Sequence, residues 1–102
     1  NNNINSNTNN NFSKYNKLKA ISGEGDNLSK VNDNYYTLTV PKHVDKVNIK
    51  ATAEDNKAKI TGVGAKTLKA GDNNIEIVIT SESGAKNVIK IINVTIILFF
   101  FI

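Results

Sequence analysis

The sequence predicts an all-β protein, an antiparallel sandwich of two sheets. Three observations predict it. Apolar and polar residues alternate over short runs, so each run buries one face and wets the other. Turn-forming residues recur about every eight to twelve positions, the spacing of a many-stranded sandwich. No stretch shows the three-and-four spacing of an amphipathic helix.

The clearest pair of runs is Tyr36/Leu38/Val40 and Val47/Ile49/Ala51/Ala53, joined by a short polar turn. The first ends at Pro41, which donates no ladder hydrogen bond and belongs at a strand terminus. Upstream, residues 18–22 read as a short first strand. Residues 23–27 then read as a turn, because Gly and Asn tolerate positive φ. Leu28 and Val31 are expected to plug one end of the core before Asn32-Asp33-Asn34 turns the chain again. Downstream, Glu54-Asp55-Asn56 is a turn, and residues 57–61 form a short strand with Ala58 and Ile60 inward. Gly62-Val63-Gly64 reads as a flexible break. Leu68 reads as a single core contact, and Gly71-Asp72-Asn73 as a turn. Residues 74–80 are the strongest strand, with Ile75, Ile77 and Ile79 on one face. Residues 81–84 close a hairpin. The last strand, about 86–94, has two inward sets open to it, Ile89/Ile91 or Ile92/Val94, which a bulge would reconcile. Six or seven strands result.

Of the 102 residues, the first sixteen include nine Asn, which leaves room for one domain with a modest core. Residues 1–16 read as a disordered Asn-rich linker, 17–95 as the sandwich and 96–102 as an apolar tail. The absence of Cys excludes disulfides and thiolate metal sites. The net charge of +4 comes from Lys alone, dispersed among acids. Without the planar fork of Arg, sequence-specific nucleic-acid reading is not expected, and no nucleic-acid partner is assigned. The joint excess of Asn, Lys and Ile fits an AT-rich genome. Asn1 in place of Met reads as the interior of a longer chain, so the lack of a leader carries no weight.

These residues resemble the cadherin-like β-sandwich domain of bacterial cell-surface proteins. The series Tyr36-Thr37-Leu38-Thr39-Val40-Pro41 carries the likeness, together with Val47 through Ala51-Thr52-Ala53-Glu54-Asp55 and Ala58-Lys59-Ile60-Thr61-Gly62. So do Leu68 with Gly71-Asp72-Asn73-Asn74-Ile75, and Thr80-Ser81-Glu82-Ser83-Gly84. The resemblance covers about residues 18–94. It implies an immunoglobulin-like sandwich used as a repeated or spacer module in exported, multidomain surface proteins. The family is named for its shape and does not imply calcium. Two departures stand out. Leu28-Ser29-Lys30-Val31 lacks the Pro and Phe of the family's usual plug, and the chain runs past Val94 into apolar residues.

Each candidate site has a plainer reading beside it. Asn32-Asp33-Asn34 is superficially like a calcium-binding motif, but calcium wants six to eight oxygens converging from separate segments, so turn chemistry is preferred. His43 stands without a second His or a Cys and reads as an exposed turn residue. Of Tyr35 and Tyr36, one faces in and one out. Only Tyr35, Tyr15 and Phe12 could serve a sugar-stacking platform, which would need several coplanar rings. The three Asn-x-Ser/Thr triplets (at Asn11, Asn27 and Asn93) arise readily in so Asn-rich a chain. Glu54, Asp55, Asp72, Glu76 and Glu82 fall in turns or on outer faces, and no catalytic, cofactor or metal residue is assigned. Residues 96–102 are too few to span a bilayer. They read first as a truncated or non-native end, with a truncated membrane anchor or an over-long strand as alternatives.

The function expected is a non-catalytic structural or adhesive spacer of an exported bacterial surface protein. Its partners would be neighbouring domains and a cell-wall or host glycan or protein, and the full-length protein could be membrane-associated through the tail. The alternative is a carbohydrate-binding module of an extracellular glycan-active protein.

Overall fold

The computed structural model describes residues 12–23, 27–41, 44–69 and 73–96, with backbone alone at 27, 41 and 93–96. Eight strands succeed one another: β1 (Leu18–Gly23), β2 (Asn27–Asn32), β3 (Tyr35–Pro41), β4 (Lys46–Ala53), β5 (Lys59–Thr61), β6 (Gly64–Thr67), β7 (Asn73–Thr80) and β8 (Lys86–Ile96). They form a three-stranded sheet, β1-β4-β6, and a five-stranded sheet, β2-β3-β8-β7-β5. The fold is the expected two-sheet sandwich.

The alternating runs explain the core. Tyr36, Leu38 and Val40 of β3, Ile75, Ile77 and Ile79 of β7, and Ile89 and Ile91 of β8 come from the five-stranded sheet, while Val47 and Ile49 come from β4 across the gap. Leu68 is also buried, and Leu18, Ile21, Leu28, Ala51, Ala53 and Ile60 pack partly against this cluster. Each fully buried aliphatic side chain contributes about 1.5–3 kcal/mol relative to exposure. The two sheets are therefore held together chiefly by the inward halves of these runs meeting face to face.

Several expectations need correction. Among the described residues eight strands form, not six or seven. Residues 27–32 make a true edge strand, paired with β3 from Asn27↔Thr39 to Asn32↔Tyr35. Leu28 packs inward, but Val31 is 55% exposed and plugs nothing. A register shift between Lys30 and Asn32 leaves it without an inward position. Residues 64–67, with Gly64 expected in a flexible break and the rest not as a strand, form β6 against β4. Their half-buried positions are Gly64 and Lys66, so no apolar alternation marks the strand. In the last strand Ile89 and Ile91 face inward and Ile92 is half-buried on the other face. The β7·β8 ladder runs without a shift from Asn73↔Asn93 to Thr80↔Lys86, so no bulge is needed.

The ladders are antiparallel except one. β3 pairs with β8 in parallel, from Tyr35↔Lys90 to Pro41↔Ile96. This places β8 between β3 and β7, and its full length is hydrogen-bonded on one side or the other. Among the described strands only the β2–β3 and β7–β8 connections are hairpins; the others carry the chain from one sheet to the other. At the β5–β6 crossing Gly62 has φ +92°, and a Cβ there would lie 2.1 Å from the Glu76 carbonyl oxygen. Only Gly satisfies both conditions.

The register also fixes the poles. Leu18 lies beside Ala53, and the loop after β4 leads to Lys59, which pairs with Thr80 and through it with Lys86. These residues mark the upper pole. Ile96, Pro41, Asn73 and Asn27 mark the lower one. The chain thus comes into the sandwich at one pole and leaves it at the other.

Candidate functional site

The upper pole gathers most of the polar chemistry of the described residues. Residues 13–16, the end of the segment expected as linker, form with Lys17 a strap docked across two loops. The Ser13 N–H donates to Glu82 Oε1 (2.9 Å), its hydroxyl donates to Asp55 Oδ2, and its carbonyl accepts from the Ser83 N–H (3.0 Å). Three residues on, the Asn16 carboxamide donates to the Ala85 carbonyl (3.1 Å), and the Asn16 carbonyl accepts from Asn87 Nδ2 (3.0 Å). The Glu54 N–H then donates to the Lys17 carbonyl (2.9 Å), which leads into β1. A polar segment can be ordered this way because each bond satisfies a backbone or side-chain group that would otherwise compete for water. Residues 1–11 lie outside the described residues.

The receiving loops are preformed. Asp55 Oδ1 accepts from the Lys57 N–H (2.9 Å), and the Asp55 carbonyl accepts from the Ala58 N–H (3.0 Å). Buried Ser81 organises the β7–β8 turn. Its N–H donates to the Ala85 carbonyl (2.8 Å), its hydroxyl accepts from the Ala85 N–H (3.0 Å), and the Ser81 and Ser83 hydroxyls lie 2.9 Å apart. Gly84 supplies the positive φ of +98° that closes the turn. Lys57 Nζ stands 3.9 Å from Glu82 Oε2.

Asp55 and Glu82, separate in the sequence, therefore converge on Ser13. The Ser13 hydroxyl and the Lys57 N–H hold the Asp55 carboxyl below the ordinary carboxylate range. That direction keeps it ionised, opposite to what a general acid requires. Both acids serve to dock the strap. No sequence signal pointed to this cluster, since nothing periodic links Ser13 to residues 42 and 69 positions away. Glu54 is exposed. Glu76 lies opposite Lys90 on the outer face of the five-stranded sheet.

At Asn32-Asp33-Asn34 the residues do turn chemistry. The Asn32 carboxamide oxygen accepts from the Asn34 N–H (2.8 Å), and exposed Asp33 pairs with Lys30 at 2.9 Å. That lysine holds the Asp33 carboxyl below its ordinary value. Asn34 also donates to Asn87 Oδ1 and to the Val88 carbonyl, tying this turn to β8. Among the described residues no group of three or more His, Asp or Glu side chains is placed to hold a metal. His43, Asp72 and residues 97–102 lie outside the described residues. No described helix is long and apolar enough to cross a membrane.

Among the described residues the aromatics do not form a row. Tyr36 is in the core and Tyr35 is half-buried on the outer face. Tyr15, 68% exposed, lies at the upper pole in a shallow hollow with Glu54, Asp55 and Asn56. Phe12 sits earlier on the same segment.

The architecture defines a β-sandwich module. A family match makes the assignment specific: the cadherin-like beta sandwich domain matches residues 18–97, and the chain belongs to this family. No curated protein and no solved structure matches the chain.

Proposed function

We propose that the chain is a non-catalytic structural or adhesive spacer module of an exported bacterial cell-surface protein. The path of the chain carries this reading. It comes in at the upper pole and leaves at the lower one along β8, whose 11 residues extend about 35 Å at the ordinary strand rise. A module threaded this way adds its own length to a series of domains instead of folding the series back on itself. The docked strap supports the same role, because it fixes the direction in which the chain arrives. A dispersed lysine surface favours solubility over a single binding patch.

Two copies joined in series through residues 1–16 should show, by small-angle scattering, a maximum dimension close to twice that of one copy. Side-by-side packing with no gain in length would contradict an in-line spacer. Antibody against the chain should label intact producing cells; labelling that requires permeabilisation would remove the surface role. Passage through a panel of immobilised glycans without retention is expected, and retention would move the reading to a carbohydrate-binding module.

A further inference from the structure

We propose that the β1·β4 ladder and its strap form a mechanical latch: they bear tension applied between the two poles, and their release changes the load on the remaining sandwich from shear to unzipping. The inference rests on the spacer reading, since only a module in series is pulled from both poles.

Tension at the upper pole acts first on the strap, where residues 13 and 16 bridge the β4–β5 loop and the β7–β8 turn. It then reaches β1. This strand runs from the upper pole to the lower, so a pull on its leading end acts along its axis and loads its cross-strand hydrogen bonds together. At the lower pole the pull acts on the trailing end of β8, also along the axis. The two strands are not equally secured. β8 has seven register pairs with β3 and eight with β7. β1 has one neighbour, five register pairs and a shift between Leu18 and Ala20. Its apolar side chains Leu18 and Ile21 are only partly buried. The β1 side is the weaker attachment and yields first.

Topology then decides how the rest of the sandwich opens. With β1 gone, the next secured residue on that side among the described residues is Asn27, which pairs with Thr39 near the lower pole. The other pulled point, Ile96, pairs with Pro41 at the same pole. Both points now sit at one end of one sheet, separated only by β3. The body rotates until the pull crosses the strands, and the ladders then open one bond after another. Bonds broken in sequence resist less than bonds loaded together, so the release of β1 is the step that sets the breaking force.

A disulfide across the latch tests this by single-molecule pulling of the full chain between two reference domains. Ala20 and Thr52 are exposed cross-strand partners, and the chain has no Cys of its own. Antiparallel partners stand about 4.5–5.5 Å apart at Cα, within disulfide range. In A20C/T52C under oxidising conditions β1 cannot leave alone, and the pull has to draw β4, with buried Val47 and Ile49, out of the core. The breaking force should rise, the released length should fall by roughly 110 Å for the residues locked between positions 20 and 52, and reductant should restore both. A breaking force equal in the oxidised and reduced chains would overturn the latch while leaving the spacer reading in place. A second variant, D33C/S83C, places both pulling handles at the upper pole. End-to-end pulling should require more force than this geometry; if it requires no more, resistance to tension is absent and the spacer reading falls too.

Discussion

In the β7–β8 hairpin, Ile77, Ile79, Ile89 and Ile91 are fully buried and the ladder runs unbroken beneath them. At the upper pole, by contrast, residues 13–17 contribute no buried apolar side chain and are held by hydrogen bonds to Asp55, Glu82, Ser83, Ala85, Asn87 and Glu54. One region is stabilised by area removed from water, the other by polar groups finding partners. The first is worth about 1.5–3 kcal/mol per side chain and cannot open without global unfolding. Net contributions of hydrogen bonds are smaller, so the strap can open by itself. A module with a rigid middle and a releasable end is the consequence.

The contrast breaks most readily at its hydrophobic side. Ile77→Ala should cost about 2–5 kcal/mol in urea unfolding, as for other buried aliphatic truncations. A loss below about 0.5 kcal/mol would mean that the inward face is misassigned.

A sharper test separates backbone geometry from contact. Gly62→Ala meets both a left-handed φ and the Glu76 carbonyl oxygen, so its loss should exceed the roughly 1–3 kcal/mol that an unfavourable φ alone costs. Gly84→Ala meets the same kind of φ with open space around it and should stay within that range. Equal losses would mean that the chain at the β5–β6 crossing shifts away from β7.

On the polar side, Ser81→Ala removes the acceptor of the Ala85 N–H at a buried position and should cost about 1–2 kcal/mol in thermal or urea unfolding. The smallest expected effect is the pH response of the strap. Asp55 titrates below its ordinary value in the folded chain, so its stabilisation is present above about pH 4 and is lost as pH falls through the lowered folded value. Asp55→Asn should flatten part of the acid limb of a melting-temperature profile without moving its neutral plateau far. An unchanged acid limb would detach Asp55 from the strap.

The regions also differ in how legible they were. Period-two alternation at Tyr36/Leu38/Val40, Val47/Ile49 and Ile75/Ile77/Ile79 announces strands and their buried faces directly, and the family likeness rested on the same residues. The edge strands β2 and β6 escaped because each has at most one inward apolar side chain, which leaves alternation nothing to repeat. The parallel β3·β8 pairing escaped because alternation specifies faces, not neighbours. The strap escaped altogether: Ser13 to Asn16 look like the Asn-rich stretch before them, and their partners lie far along the chain. Hydrogen-bonding complementarity over such separations leaves no pattern in one sequence.

Site-resolved amide hydrogen exchange on the full chain tests the contrast most directly. The amides of Ile77, Ile79, Ile89 and Ile91 should exchange only through global unfolding, those of β1 through a smaller opening, and the Ser13-to-Ser83 and Glu54-to-Lys17 bonds through the smallest. Exchange of Ser83 and Glu54 as slow as that of Ile89, or exchange of Ile89 as fast as theirs, would contradict a rigid centre joined to a releasable end.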